Sequence, residues 1–298
     1  MLNAVERKIE QYIDELGSQE VCALYRKLPN GKRLRAKLIL KIAGSSLPVV
    51  KTAAIVEMIH AASLLHDDVI DDAYTRRSKP SLNALYGNKT AIMLGDILYS
   101  KGFFELNNIS AEVSKVVSNA VTQLSLGELA DVSLSKSFNI DKKLYLKMIY
   151  QKTASLMEAS AGAAALLAGK RKEHYMTYGR NLGLAFQMID DLLDITSDSE
   201  TLGKPALHDF VEGKTTLPYI YLYEALNSED KSKLKLLHAK KLTKDEETWI
   251  LTNMKKHKII EKSYLEAKLL IDEAIRLMNS CNEEELSGIA KEMIERSF

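Results

Sequence analysis

The chain has 298 residues, of which 46% are hydrophobic, and its 41 lysines and arginines nearly balance its 40 acidic residues, for a formal net charge of +1. This balance excludes the strong overall field that attracts nucleic acid or membrane surfaces, so any functional charge must be local. Cys22 and Cys281 lie near opposite ends of the chain without metal-type or redox-type spacing, which favours ordinary buried thiols and a cytoplasmic protein.

The N-terminal segment, residues 1–16, alternates charged and apolar residues at helical spacing. A signal peptide needs an uninterrupted apolar stretch, so we expect the protein not to be secreted. The most apolar window runs from Ala154 to Gly169, contains Glu158, and is shorter than the roughly 20 residues needed to cross a bilayer. The sequence therefore predicts no membrane span, although its composition says nothing about how lipid-like a substrate is.

Apolar residues recur at helical spacing through most of the chain, which contains only 5 prolines and 14 glycines. This pattern predicts an all-α protein without strands. The predicted helices cover residues 3–16, 33–43, 49–72, 90–107, 110–135, 141–168, 172–195, 217–226, 243–257 and 259–279. The interruptions at residues 44–48, 79–81 and 203–213 are too short to be domain linkers, so we predict a single domain over residues 1–298. The small residues at 159–165 favour close helix approach, with a cavity wall or subunit contact as the alternative.

The predicted helix 49–72 ends in an acidic cluster, HDDVIDD at residues 66–72. Asp67 and Asp71 are i, i+4 neighbours on one helix face, and Asp68 lies beside them. Like charges at that spacing repel each other unless a cation lies between them. The cluster is therefore either a cation site or a solvated helix end.

A second acidic cluster repeats this pattern at the end of another apolar helix, in FQMIDDLLD at residues 186–194. Its aspartates, Asp190, Asp191 and Asp194, have the same DDxxD spacing as those of the first cluster. Oxygen ligands at helical spacing suit magnesium, which usually joins a few carboxylates to substrate phosphates. Two copies on apolar helices therefore favour a magnesium and phosphate site over two solvated helix ends.

Cationic residues that could neutralise such phosphates recur along the chain. Each one alone is typical of a solvated surface charge, but their joint occurrence favours phosphate binding. They are Lys32 and Arg35 in GKRLR, Arg76 and Arg77 after the first cluster, Lys152 inside a long predicted helix, and Lys204 and Lys214 in a glycine-containing loop.

These motifs resemble, in their order, those of the all-trans polyprenyl diphosphate synthase family, whose members lengthen isoprenoid chains. The resemblance spans nearly the whole chain and includes GKRLR at 31–35, HDDVIDD at 66–72, RR at 76–77, GD at 95–96, KT at 152–153, FQMIDDLLD at 186–194 and GKTTLP at 213–218. It implies an isoprenoid-synthase helical bundle around a deep central cavity, usually as a homodimer. It also implies condensation of isopentenyl diphosphate with an allylic prenyl diphosphate.

The resemblance further implies a role for each matched residue. Magnesium ions, three when the allylic diphosphate is bound, would be held by Asp67, Asp68, Asp71, Asp190, Asp191 and Asp194. The allylic diphosphate would contact Arg76, Lys152, Lys204 and Lys214. Isopentenyl diphosphate would contact Lys32, Arg35, His60 and Arg77, while Thr153 and Gln187 would flank the reacting carbons. Without the resemblance, a packed core histidine is the favoured explanation of His60.

Three positions depart from the commonest family pattern. Asn30 replaces a glycine and Ala36 a proline in the GKRLR block, and Ser78 replaces the glycine after the arginine pair. These differences concern loop geometry more than charge.

Product length depends on residues about one turn before the first cluster. Ala62 and Ser63 would lie roughly 6–8 Å deeper along the growing hydrocarbon, at 1.5 Å of helix rise per residue. The resemblance implies that bulky aromatic side chains at such positions stop growth early, and that the bacterial farnesyl-type motif has four intervening residues where this one has two. The sequence therefore predicts a medium- or long-chain product, with a farnesyl or geranylgeranyl product as the alternative.

Three other functions fit part of the sequence. A class I terpene cyclase shares the first acidic motif but normally has an asparagine- and serine-containing motif in place of DDLLD at 190–194. An HD phosphohydrolase would use His66 and Asp67 and leave the second cluster unexplained. A regulatory subunit of a heteromeric synthase should have lost acidic or cationic residues that this chain keeps.

Overall fold

The computed structural model describes residues 1–29, 31–77, 79–196 and 207–295, with side chains through residue 292. The chain forms two compact units, each built from two stretches of sequence. Unit 1 comprises Met1–Thr122 and Leu156–Gly179, and unit 2 comprises Gln123–Ser155 and Arg180–Phe298. The organisation as a single domain stays a prediction.

The described residues form helices that are joined by turns and loops and by one short hairpin, so the predicted all-α class is confirmed. In chain order the elements are α1 (Leu2–Asp14), α2 (Gln19–Tyr25), α3 (Leu34–Ala43), α4 (Leu47–Ile70), β1 (Thr75–Arg76), β2 (Lys79–Pro80), α5 (Leu82–Tyr86), α6 (Asn88–Leu106), α7 (Ala111–Leu134), α8 (Lys142–Ile149), a π-helical turn (Tyr150–Ala154), α9 (Ser155–Leu167), α10 (Lys172–Thr196), α11 (His208–Val211), α12 (Leu217–Ala225), α13 (Ser228–Leu237), α14 (Lys244–Lys256), α15 (Ile259–Ser280) and α16 (Glu284–Glu295).

Helix α4 supplies much of the core of unit 1. Pro48 in its first turn is pre-set for a helix start, and its residues from Thr52 to Ile59 are all buried. Helix α6 packs closely on α4 at Gly102, where an added methyl group would be in ordinary van der Waals contact with Ile59 at 3.5 Å. Among the described helices, α4 alone is long and apolar enough to cross a membrane, but 61% of its most apolar window is buried inside the protein, as is usual for a core helix.

The run of small residues in α9 packs against the first half of α10 within unit 1. A methyl group on Gly162 would lie 2.6 Å from Cγ of Met176, and one on Gly179 would lie 2.9 Å from Cβ of Ala161. Both distances are too short for a real contact. The close helix approach expected for this run is therefore present.

Unit 2 is built around α12, which is buried from Leu217 to Leu222. Phe210, from the short helix α11, stacks on Tyr219 with ring centroids 4.4 Å apart. At the other end of the unit's sequence, Asp141 starts α8 by accepting a 2.7 Å hydrogen bond from the backbone N–H of Lys143. Such N-caps stabilise a helix by about 1 kcal/mol.

Besides the helices α2, α5, α11, α13 and α16, which the sequence did not predict, the described residues differ from the sequence prediction in two places. No convincing strand was expected, and β1 and β2, of two residues each, form a short antiparallel hairpin with Arg76 opposite Lys79. The predicted helix 141–168 contains the π-helical turn, where Ser155 N–H donates to the carbonyl of Tyr150, five residues earlier. Both departures carry residues that the sequence assigns to the site.

Candidate active site

The first acidic cluster lies at the C-terminal end of α4, in unit 1. The backbone N–H of Asp71 donates to the carbonyl of Asp67 at 2.8 Å and closes the last turn. Asp68 is buried, only 4% exposed, whereas Asp67 is half-buried and Asp71 exposed. Arg76 donates to Oδ1 of Asp68 from Nε at 2.7 Å and from Nη2 at 2.6 Å. The protein thus neutralises the middle aspartate itself.

Backbone contacts hold the segment after the cluster. The side-chain amide of Asn83 donates to the carbonyls of Asp68 and Ala73, both at 3.1 Å. The hydroxyl of Ser81 donates to the carbonyl of Ala73 at 2.6 Å. These contacts fix the hairpin that carries Arg76, and no sequence motif pointed to Asn83 or Ser81.

The GD pair at 95–96 has a structural explanation in unit 1. A methyl group on Gly95 would overlap the imidazole of His66, so only glycine lets that ring lie against α6. Nε2 of His66 lies 3.2 Å from the carbonyl of Ile92 and 3.4 Å from Oδ1 of Asp96. These contacts orient the residue that immediately precedes the first cluster.

A group of arginines surrounds His60. Burial lowers the pKa of His60 well below its usual value, and nearby positive charges lower it further. Those charges belong to Arg35, Arg76, Arg77 and Arg33. The structure therefore brings together three of the four residues assigned to isopentenyl diphosphate, with a neutral imidazole among cations.

The cationic side chains of the GKRLR segment differ in their exposure to solvent. Lys32 is exposed, while Arg35 is half-buried and its Nε is fully enclosed without a hydrogen-bond partner among the described residues. Burial lowers the pKa of the Arg35 guanidinium, and the charge of Glu57 opposes that shift. Gly31 lies against Arg77, since a methyl group there would be 3.4 Å from Nη1 of Arg77. A buried donor without a partner is suited to an anionic ligand.

Glu57 and Arg33 anchor this segment, and sequence reasoning missed both. Glu57 is 2% exposed and accepts a 2.9 Å hydrogen bond from the backbone N–H of Ala36. Arg33 lies 3.5 Å from Glu57 and holds Glu6 of α1 through two contacts of 2.7 and 3.0 Å. The signal was present, because Glu57 is an acidic residue within the otherwise apolar run IVEMI.

The second acidic cluster lies near the end of α10, in unit 2. Asp191 is 3% exposed and accepts hydrogen bonds from the hydroxyl of Tyr145 at 2.6 Å and from Nε2 of Gln187 at 2.9 Å. Asp190 is exposed and Asp194 half-buried. Burial, reinforced by the charge of Asp209, raises the pKa of the Asp191 carboxyl well above its usual range, although the two hydrogen bonds oppose this.

Asp194 closes the cluster against the segment that follows. The backbone N–H of Leu207 donates to the carbonyl of Asp194 at 3.1 Å, and that of Asp209 donates to its Oδ2 at 3.2 Å. Leu207 is fully buried with a φ of +61°, a left-handed conformation that is unusual for a bulky residue. The segment therefore returns to the acidic cluster at some cost in backbone strain.

Lys152 lies in the π-helical turn of unit 2 and points at two carboxylates. Its Nζ is 2.6 Å from Oδ2 of Asp131 and 2.9 Å from Oε2 of Glu128. Burial lowers the pKa of the ammonium, but Asp131 and Glu128 more than offset this and raise it overall. Lys152 is thus held in its charged form by two residues that the sequence analysis did not select.

The remaining predicted residues of unit 2 are placed as follows. The hydroxyl of Thr153 donates to Oε1 of Gln187 at 2.8 Å, which joins the two residues assigned to the reacting carbons. Lys214 lies 3.0 Å from Oε2 of Glu212 and lines a small cavity with Asp131 and Tyr145. Lys204 lies outside the described residues, as do Asn30 and Ser78.

Comparison with known proteins identifies the chain. The family model described as polyprenyl synthetase matches residues 19–254. The chain belongs to this polyprenyl synthetase family. Its octaprenyl diphosphate synthase relative in Escherichia coli is 38% identical over 220 residues, which cover 71% of this chain and 66% of the relative.

Solved structures of the family have the same fold. Octaprenyl pyrophosphate synthase from Helicobacter pylori superposes with a TM-score of 0.93 at 42% identity, covering 98% of both chains. Polyprenyl synthase from Caulobacter crescentus CB15, complexed with calcium and isoprenyl diphosphate, superposes with a TM-score of 0.90 at 29% identity, covering 100% of this chain and 95% of the other. Against several curated relatives, the chain covers between 53% and 66% of their length.

The donor chemistry of both family motifs fits a hard divalent cation. Each cluster offers only carboxylate oxygens, and in each the outer aspartates are more open to solvent than the middle one. Among the described residues, no three His, Cys, Asp or Glu side chains converge closely enough to hold a metal by themselves. Such a set suits magnesium, which is usually bound by one or two carboxylates together with waters and substrate phosphates.

The residues assigned to product length lie on α4 within unit 1. Ala62 is completely buried, and Ser63 is half-buried with its hydroxyl donating to the carbonyl of His60 at 2.9 Å. Their role in product length stays a prediction.

Proposed function

We propose that this chain is a magnesium-dependent trans-prenyltransferase that condenses isopentenyl diphosphate with an allylic prenyl diphosphate to give a medium- or long-chain polyprenyl diphosphate. The observation that carries the proposal is the presence of two DDxxD clusters whose outer carboxylates are more open than the middle one. Membership in the polyprenyl synthetase family supports the same reaction, and octaprenyl relatives support the product range.

We assign magnesium, as three ions with the allylic diphosphate bound, to the two acidic clusters, in which the motif resemblance names all six aspartates. Bound magnesium would neutralise negative charge that develops on the departing diphosphate. The outer carboxylates, Asp67 and Asp71 in one cluster and Asp190 and Asp194 in the other, are the ligands that their exposure favours most.

The cationic residues would share the charge of the diphosphates. Lys152 stays protonated beside Asp131 and Glu128, so it offers a fixed positive charge to the leaving group. Lys204, Lys214 and Arg76 are assigned to the same allylic diphosphate. The enclosed guanidinium of Arg35, with Lys32, Arg77 and neutral His60, is assigned to the diphosphate of isopentenyl diphosphate.

The hydroxyl of Thr153 and the amide of Gln187 would stabilise positive charge on the reacting carbons through their oxygen dipoles, while apolar helices exclude the water that would quench it. The released diphosphate would then take the proton that leaves as the new double bond forms. Repeating this cycle lengthens the chain.

We also propose that the protein is a cytoplasmic homodimer that needs no nucleic acid and has no membrane span. Exposed apolar side chains on α7, including Leu126, Leu129 and Val132, are the kind of surface that a subunit contact buries. Cys22 and Cys281 form no disulfide with each other, which fits a reducing compartment, although both are half-buried rather than buried as the sequence predicted.

The proposal is tested by incubating the purified protein with labelled isopentenyl diphosphate, farnesyl diphosphate and magnesium, and by sizing the products. We expect a ladder ending at a medium- or long-chain product, abolished by a chelator and restored by added magnesium. Absence of incorporation with farnesyl, geranyl and dimethylallyl primers alike would overturn it. Size-exclusion chromatography with light scattering tests the dimer separately.

A further inference from the structure

The π-helical turn at Tyr150–Ala154 interrupts the helical stretch that begins with α8. Residues 142–155 contain neither proline nor glycine, the commonest reasons for a helix to deform. Within the turn, the hydroxyl of Ser155 donates to the carbonyl of Gln151 at 2.8 Å. Single π-helical turns occur frequently at functional sites. Contacts from elsewhere in unit 2 hold this turn on two sides. Lys152 and Thr153 both lie within it.

One side of the turn is set by α7. A methyl group on Gly127 would overlap the backbone nitrogen of Lys152 and lie 2.7 Å from the carbonyl carbon of Gln151. Only glycine therefore lets the backbone of α7 lie directly against the turn. On the same helix, Glu128 and Asp131 form ion pairs with the ammonium of Lys152.

A chain of hydrogen bonds sets the other side. Thr153 donates to Oε1 of Gln187, Gln187 donates through Nε2 to Oδ1 of Asp191, and Tyr145 donates to Oδ2 of Asp191. The chain fixes which end of the Gln187 amide faces Thr153. It also gives each oxygen of the buried Asp191 carboxylate a protein donor. Asp190 beside it is exposed.

We propose that Tyr145 and Asp191 are positioning residues that act through Gln187 to hold Thr153 and the π-helical turn in one geometry, and that Asp191 is engaged by the protein rather than by metal. The catalytic consequence rests on the proposed function, because it concerns residues assigned to the reacting carbons and the leaving diphosphate. Asp191 thus departs from the metal role that the motif resemblance implies.

The first test is Tyr145→Phe, which removes one hydroxyl from the chain of hydrogen bonds. We expect kcat to fall at least tenfold, with the KM for isopentenyl diphosphate and the half-saturating magnesium concentration unchanged. Tyr219→Phe is the matched control, because the Tyr219 hydroxyl is also buried in unit 2 but has no hydrogen-bond partner among the described residues. Wild-type kcat in Tyr145→Phe would overturn the proposal.

The second test asks whether Tyr145 acts through Thr153. In Thr153→Val the chain is already broken, so adding Tyr145→Phe should lower kcat by less than twofold more. Thr153→Ser keeps the hydroxyl and should restore the sensitivity to Tyr145→Phe. Fully multiplicative losses in the Thr153→Val double variant would mean that the two residues act independently, which contradicts the proposal.

The third test measures metal binding without turnover. The melting temperature is recorded with and without magnesium and inorganic pyrophosphate for Asp191→Asn, Asp190→Asn and the unmodified protein. Asp191→Asn should keep the ligand-induced rise in melting temperature, whereas Asp190→Asn should lose most of it. Equal loss in both would overturn the assignment of Asp191. An unmodified protein that shows the rise but incorporates no isopentenyl diphosphate would instead count against the proposed function.

Discussion

The two acidic clusters share one sequence motif but balance its charge in different ways. In both, the middle aspartate is buried, Asp68 at 4% and Asp191 at 3% exposed. Asp68 is balanced by a cation, since Arg76 makes two contacts to one of its oxygens. Among the described residues, Asp191 accepts hydrogen bonds from two neutral donors, Tyr145 and Gln187, and the pKa of its carboxyl is raised by burial.

This comparison suggests different roles for the outer and the middle aspartates of a DDxxD motif. The outer aspartates of each cluster are exposed or half-buried and suit a hydrated cation. The middle aspartate ties its helix to another element, the hairpin in unit 1 and α8 in unit 2. The following predictions test that division of roles.

The largest effect is expected from the outer aspartates. Asp67→Ala and Asp190→Ala should each lower kcat by about 10²–10³-fold, the size usual for losing one preorganised charge-stabilising group. Both should retain their helical circular dichroism. Glu273→Ala removes an exposed carboxylate of α15 and serves as the control. Near-normal turnover in both aspartate variants would show that the clusters are solvated helix ends.

Removing a partner of each middle aspartate should lower the free energy of unfolding by different amounts. Arg76→Ala leaves the buried Asp68 carboxylate without its cation and should lower the free energy of unfolding by about 2–3 kcal/mol. Tyr145→Phe removes one neutral donor while Gln187 remains, so we expect about 1–2 kcal/mol. Urea titrations measure both. An equal or reversed order would contradict the contrast drawn between the clusters.

Arg35 and Lys32 of unit 1 should affect the binding of isopentenyl diphosphate more than that of the allylic substrate. Arg35→Ala should raise the KM for isopentenyl diphosphate about tenfold or more, the worth of one charge-assisted hydrogen bond, and change the allylic KM far less. Lys32→Ala should act in the same direction but more weakly, because Lys32 is exposed. Lys37→Ala, on the exposed face of α3, is the control. Equal losses for both substrates would refute the division.

A bulky side chain one helical turn before the first cluster should shorten the product. In Ala62→Phe, the ring replaces a methyl group at a fully buried position, and we expect it to occupy space that the growing hydrocarbon needs. Product sizing and a melting curve on the same variant decide the matter. An unchanged product ladder from a stably folded variant would refute the proposed direction of Ala62.

The smallest effect concerns pH. Burial and the surrounding arginines lower the pKa of His60 in the folded protein well below its usual value. Below about pH 6.5, His60 therefore binds a proton in the unfolded chain but stays neutral in the folded protein. His60 therefore lowers stability as pH falls, by up to about 1.4 kcal/mol per pH unit. His60→Gln should flatten this slope between about pH 6.5 and 5.5. An identical slope in the variant would show that His60 does not contribute.

The sequence predicted the helical class and most of the long helices because apolar periodicity extends over many residues. It missed α2, α5, α11, α13 and α16, which are short or strongly polar, and it missed the π-helical turn, which is packed against residues distant in sequence. Both clusters could be singled out from the sequence because several carboxylates are unusual at the end of an apolar helix, and the cations because they recur in a fixed order along the chain; their roles stay predictions. Tyr145 and Asp131 could not be singled out, because their importance arises from residues that are distant in sequence.

The division of roles within the two motifs is tested most directly by anomalous scattering from crystals grown with manganese in place of magnesium and with inorganic pyrophosphate. The account predicts manganese coordinated by outer aspartates such as Asp67 and Asp190, with Asp68 still bound to Arg76 and Asp191 still bound to Tyr145 and Gln187. Manganese coordinated directly by the carboxylate of Asp68 or Asp191 would contradict it.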